Sequence, residues 1–514
     1  MSDPVPFLLD DAGVPALRQA ISAIARAGYG EAAVRDRLGL ADITGLHWRN
    51  VSIYRDEQLA DRDPLALAID LFLLEGSLAR DEMERLLPAA GREVLLRTGL
   101  VEIDETGLVR ARASLYPVGR RLIFSDHAWP ELRHPGDPVP YNQVMAVGLD
   151  SRHLARVTVR RPVRSALDLC TGSGIHALLA ASSAQRVCAL DINPRAVHCT
   201  RFNAQALGIA NLEVMEGDLF DPVRGQTFDR ITANPPFVPS PVNTLRFRDG
   251  GASGEDIQKR IVAGLPYHLA PGGIAQLVTE LGQREGEPLT ARLREWLGGA
   301  PMDIYVLSVA SHTAAEYAAG HARGDDYGSF LDSTRAWAAN LRAQGYRRVV
   351  SVLVSFQWSR GSQPWERLDE SRPPRRSAGG EIEATFLAEG LARNPELRRH
   401  LEGCRLRRLD PIARLDASVL SGAASVLGAA IPPKAKATRL GQALAIEHEL
   451  EPVERQVLDR MEAGVAASEL LRPGHAFDAS EASILEAVRS LLRKRLVSVE
   501  APPAEPASGA VEKN

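Results

Sequence analysis

The segment FDRITANPPFVPSP, residues 228–241, holds the side chains whose types and spacing are best suited to chemistry. Pro235 and Pro236 lack N–H donors and fix φ at about −65°, so this loop is stiff and its carbonyl groups have fixed directions. Asn234 adds an oxygen that accepts hydrogen bonds, and Phe237 adds a flat apolar ring. Such a loop can hold a planar –NH2 group while the nitrogen lone pair faces an electrophile. A rigid turn between strand and helix is the alternative interpretation.

A glycine-rich turn lies earlier in the chain, in SALDLCTGSGIHALLAA, residues 165–181. Gly172 and Gly174 can adopt positive φ and have no Cβ, so a ligand can come close to the backbone there. Asp168 ends the apolar strand before the turn, 66 residues before Asn234. A tight turn without a ligand is the alternative, and dinucleotide-binding domains begin in the same way.

Two further acids follow the next two apolar segments. Asp191 comes 17 residues after Gly174, close to the interval of about 20 at which nucleotide-binding folds place an acid for the ribose hydroxyls. Asp218 follows the third strand and is suited to accept a hydrogen bond from an adenine amino group, or to cap a helix. Because the carboxyl ends of parallel strands line one crevice, these acids, the glycine turn and Asn234 should meet there.

The elements that must position these residues alternate as strand and helix, which predicts a doubly wound α/β sheet. A helix over residues 330–343 precedes the last strand. The seven predicted strands are 166–170, 186–192, 212–216, 229–233, 274–279, 304–309 and 349–356.

DLCTGSG, Asp191, Gly217-Asp218 and NPPF together resemble the class I S-adenosylmethionine-dependent methyltransferases. They are similar to the branch that carries Asn-Pro-Pro-aromatic and methylates amino nitrogens. The resemblance covers residues 142–358. It implies a seven-stranded Rossmann-like sheet with an antiparallel last strand, S-adenosyl-L-methionine as the cofactor and no metal. Cys170 departs from the commonest form of the motif, which has glycine there.

The resemblance also implies what each residue does. The acid and glycines of the first motif would face the methionine part of the cofactor, Asp191 the ribose and Asp218 the adenine. Asn234 and the carbonyl of Pro235 would hold the target amine. The predicted catalytic residues are Asn234, Pro235, Pro236 and Phe237, and the predicted cofactor-binding residues are Asp168, Cys170, Thr171, Gly172, Gly174, Asp191, Ile192, Asp218, Leu219 and Asn234.

The methyl acceptor is less sharply defined by the sequence. DLCTGSG, NPPFVP and RFRDGGASGED, residues 246–256, are most similar to glutamine-N5 methyltransferases and to a small-domain methyltransferase-like bacterial family with extra flanking domains. A protein glutamine amide is therefore the leading acceptor. An exocyclic base amine of RNA or DNA is the runner-up, and a small molecule or a regulator that only senses the cofactor are further alternatives. The nucleic-acid alternative depends on winged-helix-like flanks and on a basic cluster of Arg152, His153, Arg156, Arg160, Arg161 and Arg164.

The flanks of the predicted methyltransferase domain are mainly helical. Helices followed by a hairpin of strands 100–103 and 108–112 are the order of a winged helix, and a similar helix-then-strand ending returns near the C-terminus. The predicted organisation is an N-terminal helical or winged-helix-like domain over 1–135, a Rossmann-like methyltransferase domain over 136–360, a linker or long loop over 361–380, a helical domain over 381–500 and a disordered tail over 501–514.

Composition limits the remaining possibilities. The 514 residues carry 61 Lys+Arg against 65 Asp+Glu, and a net charge of −4 excludes a generally basic nucleic-acid-binding protein. The four cysteines match neither a disulfide framework nor paired zinc ligands. The acidic N-terminal segment is unlike a signal peptide, and the longest uncharged stretch, residues 417–433, ends in two prolines. We therefore predict a cytoplasmic protein without a membrane span.

For two titratable residues near these motifs, a structural or solvent-exposed position is favoured over a functional role. His176 lies in the helix after the glycine turn, where a packed histidine is more common than a functional one. Glu280 ends the fifth strand, and an exposed loop acid is favoured over a residue of the substrate pocket.

Overall fold

The computed structural model divides the chain into two compact units, Met1–Trp358 with Trp365–Leu368, and Ser359–Pro364 with Asp369–Asn514. The residues it describes are 7–127, 141–242, 244–324, 326–361, 363–374, 376–402, 404–409, 412–415, 435–439, 443–444, 446–461, 464–471 and 479–500. The predicted domain boundary at 135–136, the predicted tail and the uncharged stretch 417–433 lie outside the described residues. No helix in the described part is long and apolar enough to cross a membrane.

The first part of unit one is mainly helical. Its helices pack through apolar faces such as Leu17, Ala20 and Ile24 on the first of them, which are spaced three and four residues apart. The helices are α1 (Val14–Arg26), α2 (Glu31–Arg37), α3 (Val51–Ile53), α4 (Pro64–Phe72), α5 (Arg80–Leu86) and α6 (Ala89–Arg97), and the strands are β1 (Ser77–Leu78), β2 (Val101–Ile103), β3 (Val109–Ala111), β4 (Ser114–Val118) and β5 (Arg121–Ser125).

The predicted hairpin is present as β2 and β3, which pair antiparallel. β1 pairs with the other edge of β3, which makes a three-stranded sheet of order β1-β3-β2. The elements that surround this sheet follow one another along the chain as α4, β1, α5, α6 and the hairpin. The winged-helix character of this part remains a prediction.

The second part of unit one is the α/β sheet. Its strands are β6 (Val163–Leu169), β7 (Ala184–Asp191), β8 (Leu212–Glu216), β9 (Phe228–Ala233), β10 (Leu269–Gln283), β11 (Met302–Thr313), β12 (Arg348–Trp358) and β13 (Glu366–Glu370). They are ordered β13-β11-β12-β10-β9-β6-β7-β8. The neighbouring pairs from β10 to β8 are parallel, whereas β12 is antiparallel to both β10 and β11. The predicted doubly wound sheet with an antiparallel last strand is confirmed.

The predicted number of strands is wrong by one, because β13 lies inside the segment that was expected to be a linker. Its sequence, ERLDE, alternates between exposed and half-buried residues. An edge strand with no apolar run gives no periodic hydrophobic signal, and the surrounding prolines, glycines and arginines are typical of a loop.

Helices cover both faces of the sheet, as parallel strands require. On one face Ala166 clusters with Ala177 and Val187; on the other, Leu167 clusters with Ile231 and Leu265, among others. The helices are α7 (Leu149–Val157), α8 (Ile175–Ala180), α9 (Pro194–Leu207), α10 (Asp256–His268), α11 (Leu289–Trp296), α12 (Ala314–His321) and α13 (Tyr327–Ala343).

The helix predicted over 330–343 is confirmed as α13, and it begins earlier because Asp326 caps it. Together α12 and α13 form a helical pair between β11 and β12.

Unit two combines five helices with two small sheets in its described residues. The amphipathic last helix buries Ile484, Val488 and Leu491 in the core of the unit. The helices are α14 (Gly379–Ala392), α15 (Leu397–His400), α16 (Pro452–Arg460), α17 (Ala467–Leu470) and α18 (Glu481–Arg493). The strands are β14 (Arg405–Arg408), β15 (Ile412–Leu415), β16 (Ala435–Arg439), β17 (Glu447–Leu450), β18 (Val465–Ala466) and β19 (Val497–Glu500). They form one sheet of order β18-β14-β19 and another of order β15-β16-β17.

Candidate functional site

A cleft opens at the carboxyl ends of β6, β7 and β9, where the glycine turn, Asp191 and Asn234 meet. This is the convergence that the sequence predicts for strand ends of a doubly wound sheet. The cleft is lined by Gln143, Val144, Met145, Ser151, Cys170, Thr171, Gly172, Ser173, Ile175, His176, Asp191, Ile192, Asn193, Ala196, Asn234, Pro236, Arg246 and Phe247.

The two glycines of the turn do different things. Gly174 has φ +85°, and a Cβ there would lie 2.8 Å from Thr200 Cγ2, so glycine is needed for the turn to pack against α9. Gly172 has φ +58° and open space where a Cβ would stand. It therefore leaves room in the cleft for a ligand close to the backbone. Cys170 shares the left-handed backbone at φ +53°, the region that favours the glycine usual at this position.

Asp168 lies beneath the turn and is fully buried, outside the lining of the cleft. Its carboxyl accepts hydrogen bonds from the hydroxyls of Thr171 and Thr232, both at 2.7 Å, and from the Ala177 N–H at 3.2 Å. Burial raises the pKa of Asp168 to about 7. The side chain fastens the turn to α8 and β9, which is a different position from the predicted contact with cofactor.

Asp191 lies in the cleft, at the end of β7. One carboxylate oxygen accepts the Gly172 N–H and the other accepts the Asn193 N–H, each at 2.9 Å. Burial raises the pKa of Asp191. Because a carboxylate has about four acceptor positions, two remain for the hydroxyls of a ribose.

The contacts predicted for Asp218 and Leu219 with the adenine stay predictions. Asp218 accepts a hydrogen bond from Arg260 at 2.8 Å, and neither it nor Leu219 lines the cleft. Leu219 is buried and has φ +51°.

Asn234 is oriented by a residue that sequence reasoning missed. Its Nδ2 donates to Ser151 Oγ at 3.1 Å, across 83 residues of sequence. Ser151 belongs to the first turn of α7 and also lines the cleft. Since the amide nitrogen is engaged, the Asn234 Oδ1 is left to accept a hydrogen bond from a target amine.

Replacing Ser151 with alanine should lower kcat by about tenfold, the value of one hydrogen bond of roughly 1.4 kcal/mol, because the Asn234 amide loses its fixed orientation. The cofactor Kd should stay near the wild-type value. Steady-state kinetics and titration calorimetry measure the two quantities. Ser182→Ala, which removes an exposed hydroxyl outside the cleft, is the control, and an unchanged kcat in Ser151→Ala would remove the positioning role.

The rest of the Asn-Pro-Pro-Phe loop is supported by the glycines of RFRDGGASGED. A Cβ on Gly250 would lie 2.9 Å from the Phe237 Cα, and one on Gly254 would lie closer still to the Phe237 oxygen. The Phe237 ring is buried against Tyr317 and Trp337 of α12 and α13. Pro236 lines the cleft, and the buried Phe237 ring anchors the loop to the helical pair. The role predicted for the Pro235 carbonyl stays a prediction.

Glu280 is not the exposed loop acid that the sequence favoured. Its carboxylate accepts hydrogen bonds from the hydroxyls of Tyr317 at 2.5 Å and Ser351 at 3.2 Å. Burial, first of all, and then the nearby Asp150 raise its pKa to about 7.

This raised pKa predicts a pH effect on stability. The folded chain holds the Glu280 proton more tightly than the unfolded chain, whose ordinary value is 4.5. The stabilisation from protonated Glu280 is therefore complete below that value and is lost as the pH rises through about 7. Urea unfolding across this range should show wild type losing stability relative to Glu280→Gln; parallel curves would contradict the prediction.

The basic cluster does not form one exposed surface. Arg152 is 2% exposed and pairs with Glu31 at 3.0 Å, and Arg156 pairs with Asp42 at 2.7 Å. His153 is buried, Arg160 and Arg161 donate to the backbone oxygens of Ala155 and Gly272, and Arg164 is exposed. Packing within the chain thus accounts for most of the basic cluster, whereas the winged-helix-like flanks, the other feature on which the nucleic-acid alternative depends, remain a prediction.

The segment that carries this site is similar to known methyltransferases. Residues 147–297 match the methyltransferase small domain family, and residues 26–112 match a domain of unknown function, DUF7059. A putative protein N5-glutamine methyltransferase of Methanocaldococcus jannaschii is 34% identical over 122 residues, which are 22% of this chain and 61% of that protein.

Two bacterial relatives are also similar to about a quarter of this chain. A release factor glutamine methyltransferase of Geobacter sulfurreducens is 33% identical over 153 residues, 26% of this chain and 54% of that protein. A ribosomal protein uL3 glutamine methyltransferase of Bordetella pertussis is 35% identical over 139 residues, 24% of this chain and 46% of that protein. The chain thus spans about half to three fifths of the length of these relatives.

The strand order, the glycine turn and the Asn-Pro-Pro-Phe loop define a class I methyltransferase domain. Within that class, the domain is similar to the glutamine-N5 methyltransferases, as the sequence predicted.

The cleft fits S-adenosyl-L-methionine in three respects. Gly172 leaves open space beside the backbone, Asp191 offers acceptors for the ribose, and buried polar atoms of Gln143 and His176 in the lining have no hydrogen-bond partner among the described residues. Asp191, whose carboxylate is held by the Gly172 and Asn193 N–H groups, would hold the ribose, and the glycine turn would cover the sulfur end.

Proposed function

We propose that this protein is an S-adenosylmethionine-dependent N-methyltransferase that methylates the side-chain amide of a protein glutamine. The observation that carries the proposal is the orientation of Asn234, whose nitrogen is engaged by Ser151 at 3.1 Å while its oxygen is left for an amine. A protein that only sensed the cofactor would have no use for this arrangement.

The bound cofactor supplies a methyl group on a sulfonium, which is already a strong electrophile. Asn234 Oδ1 and the Pro235 carbonyl accept the two N–H groups of the target amide, so that its nitrogen faces the methyl carbon. As the N–C bond forms and the C–S bond breaks, both oxygens stabilise the charge that develops on nitrogen. The products would be the N-methylated amide and S-adenosylhomocysteine, with one N–H proton released to water. Alignment of this kind can lower the activation free energy of methyl transfer by up to about 7–11 kcal/mol.

Three observations support a protein acceptor. The named relatives act on a release factor and on ribosomal protein uL3. The loop after the Asn-Pro-Pro-Phe motif packs on it through Gly250 and Gly254, in the segment that is most similar to the glutamine-N5 branch. The basic cluster of the nucleic-acid alternative is used for internal contacts.

The four cysteines are free thiols, which supports a cytoplasmic site of action.

The test is transfer of tritiated methyl from S-adenosylmethionine into cell extract that is afterwards separated into protein, RNA, DNA and small molecules. We expect label in protein, released as methylamine on acid hydrolysis, and none with Asn234→Ala. Label in a nucleic-acid fraction would replace the glutamine acceptor by a base amine. Absence of both transfer and cofactor binding would contradict the methyltransferase proposal.

A further inference from the structure

Two buried side chains of the cleft lining carry polar atoms that no other described residue satisfies. Gln143 is 7% exposed and His176 is 5% exposed. Among the described residues, Gln143 Oε1 and both ring nitrogens of His176 have no hydrogen-bond partner. Buried polar groups are almost always paired, so unpaired ones in a ligand cleft indicate a ligand that pairs with them.

Gln143 has a fixed orientation. Its Nε2 donates to the backbone oxygen of His127 at 2.9 Å, which leaves Oε1 as an acceptor toward the cleft. The neighbouring Val144 N–H donates to Asp126 at 2.8 Å, so the segment that carries Gln143 is itself held in place. The unpaired oxygen is therefore suited to a cationic N–H donor.

His176 is the second residue of α8. Burial, and then the positive charge of Arg160, lower its pKa to about 3, so the ring is neutral near pH 7. A neutral imidazole has one N–H donor and one acceptor nitrogen. The ring also borders a small cavity lined by Arg160 and Arg230, so one nitrogen can serve that cavity while the other serves the cleft.

The position of these two residues selects one part of the cofactor. A sulfonium has three substituents; Asp191 provides acceptors for the ribose of the adenosyl arm, and Asn234 marks where the methyl group is used. The third substituent is an aminobutyrate arm with an ammonium and a carboxylate. The cleft is also lined by apolar side chains such as Val144 and Ile175 and by polar ones such as Ser173 and Arg246; among the described lining residues, Gln143 and His176 are the two with buried side-chain atoms that lack a hydrogen-bond partner.

We propose that Gln143 and His176 bind the amino-acid end of the cofactor, with Gln143 Oε1 accepting from the ammonium and the His176 N–H donating to the carboxylate. This inference rests on the proposed function. It gives both residues a use that the sequence does not indicate.

The test compares two ligands by titration calorimetry on the full chain. S-Adenosylhomocysteine has the amino-acid end, whereas 5′-methylthioadenosine lacks it. For Gln143→Met and for His176→Phe we expect the Kd of S-adenosylhomocysteine to rise by about 10- to 100-fold, as for loss of a hydrogen bond to a charged group. The Kd of 5′-methylthioadenosine should change less than about twofold. His176→Asn, which keeps an N–H donor, should restore part of the loss.

Each other outcome overturns the inference in a recognisable way. Equal weakening of both ligands would mean that the variants damage the cleft in general, and unchanged affinities would mean that the two side chains do not contact the amino-acid end. If the wild-type chain bound neither ligand, the proposed function would fail together with the inference. If wild type bound both ligands with the same affinity, only the inference would fail.

Discussion

Asn234→Ala should lower kcat by about 10²–10³-fold, the loss typical when one preorganised group that stabilises transition-state charge is removed. The reason is geometric: the Asn234 oxygen is free because its nitrogen donates to Ser151 at 3.1 Å. Without that oxygen, the target amide keeps only the Pro235 carbonyl as an acceptor and its nitrogen is no longer aligned. Single-turnover transfer of labelled methyl measures this step directly.

The same variant should bind the cofactor with almost the wild-type affinity. The Asp191 carboxylate that would hold the ribose is positioned by the Gly172 N–H, and this contact does not involve Asn234. Asn234→Asp is the informative companion. It keeps an oxygen but adds a negative charge and loses the donor to Ser151, so it should recover only a small part of the activity. A parallel loss of cofactor affinity and kcat in Asn234→Ala would contradict the assignment of Asn234 to the amine.

Most of the sheet could be predicted because each of its parts is a contiguous pattern. An apolar run, a glycine turn and a helix define β6 and α8, and similar runs define the following strands. Once neighbouring strands are parallel, their carboxyl ends share one edge, so Asp191 and Asn234 had to approach the same cleft. The polar edge strand Glu366–Glu370 lacks such a pattern and was missed.

A motif gives a residue type but not the direction of its side chain. Asp168 and Ala166 lie on the same face of β6 because the strand period is two, and that face packs on α8. The carboxylate therefore supports the turn from beneath. Phe237 is similarly placed by distant partners, Tyr317 and Trp337, about a hundred residues later in a helical pair that the loop motif does not specify.

The residues that were missed depend on contacts between distant segments. Ser151 meets Asn234 across 83 residues, and Arg152 pairs with Glu31 from the far N-terminal part of the unit. Local sequence treats the first as an ordinary helix residue and the second as part of a solvated basic face. The unpaired oxygen of Gln143 can be recognised only from the positions of its neighbours, because it is defined by the lack of a donor among the described residues around it.

Asp191→Ala should show the opposite bias and weaken cofactor binding by about 100-fold, as expected for loss of two hydrogen bonds from a carboxylate to ribose hydroxyls. At saturating cofactor, kcat should fall much less, because Asn234 and Ser151 are unchanged. The carboxylate also accepts the Gly172 and Asn193 N–H groups, each at 2.9 Å, so part of the loss reflects a loosened turn. Asp191→Asn separates the two contributions: it keeps one oxygen for these backbone donors but presents fewer acceptors to the ribose. Calorimetry should therefore show affinity falling from wild type to Asp191→Asn to Asp191→Ala, both for S-adenosylhomocysteine and for adenosine. A loss of affinity confined to S-adenosylhomocysteine would assign Asp191 to a part of the cofactor other than the ribose.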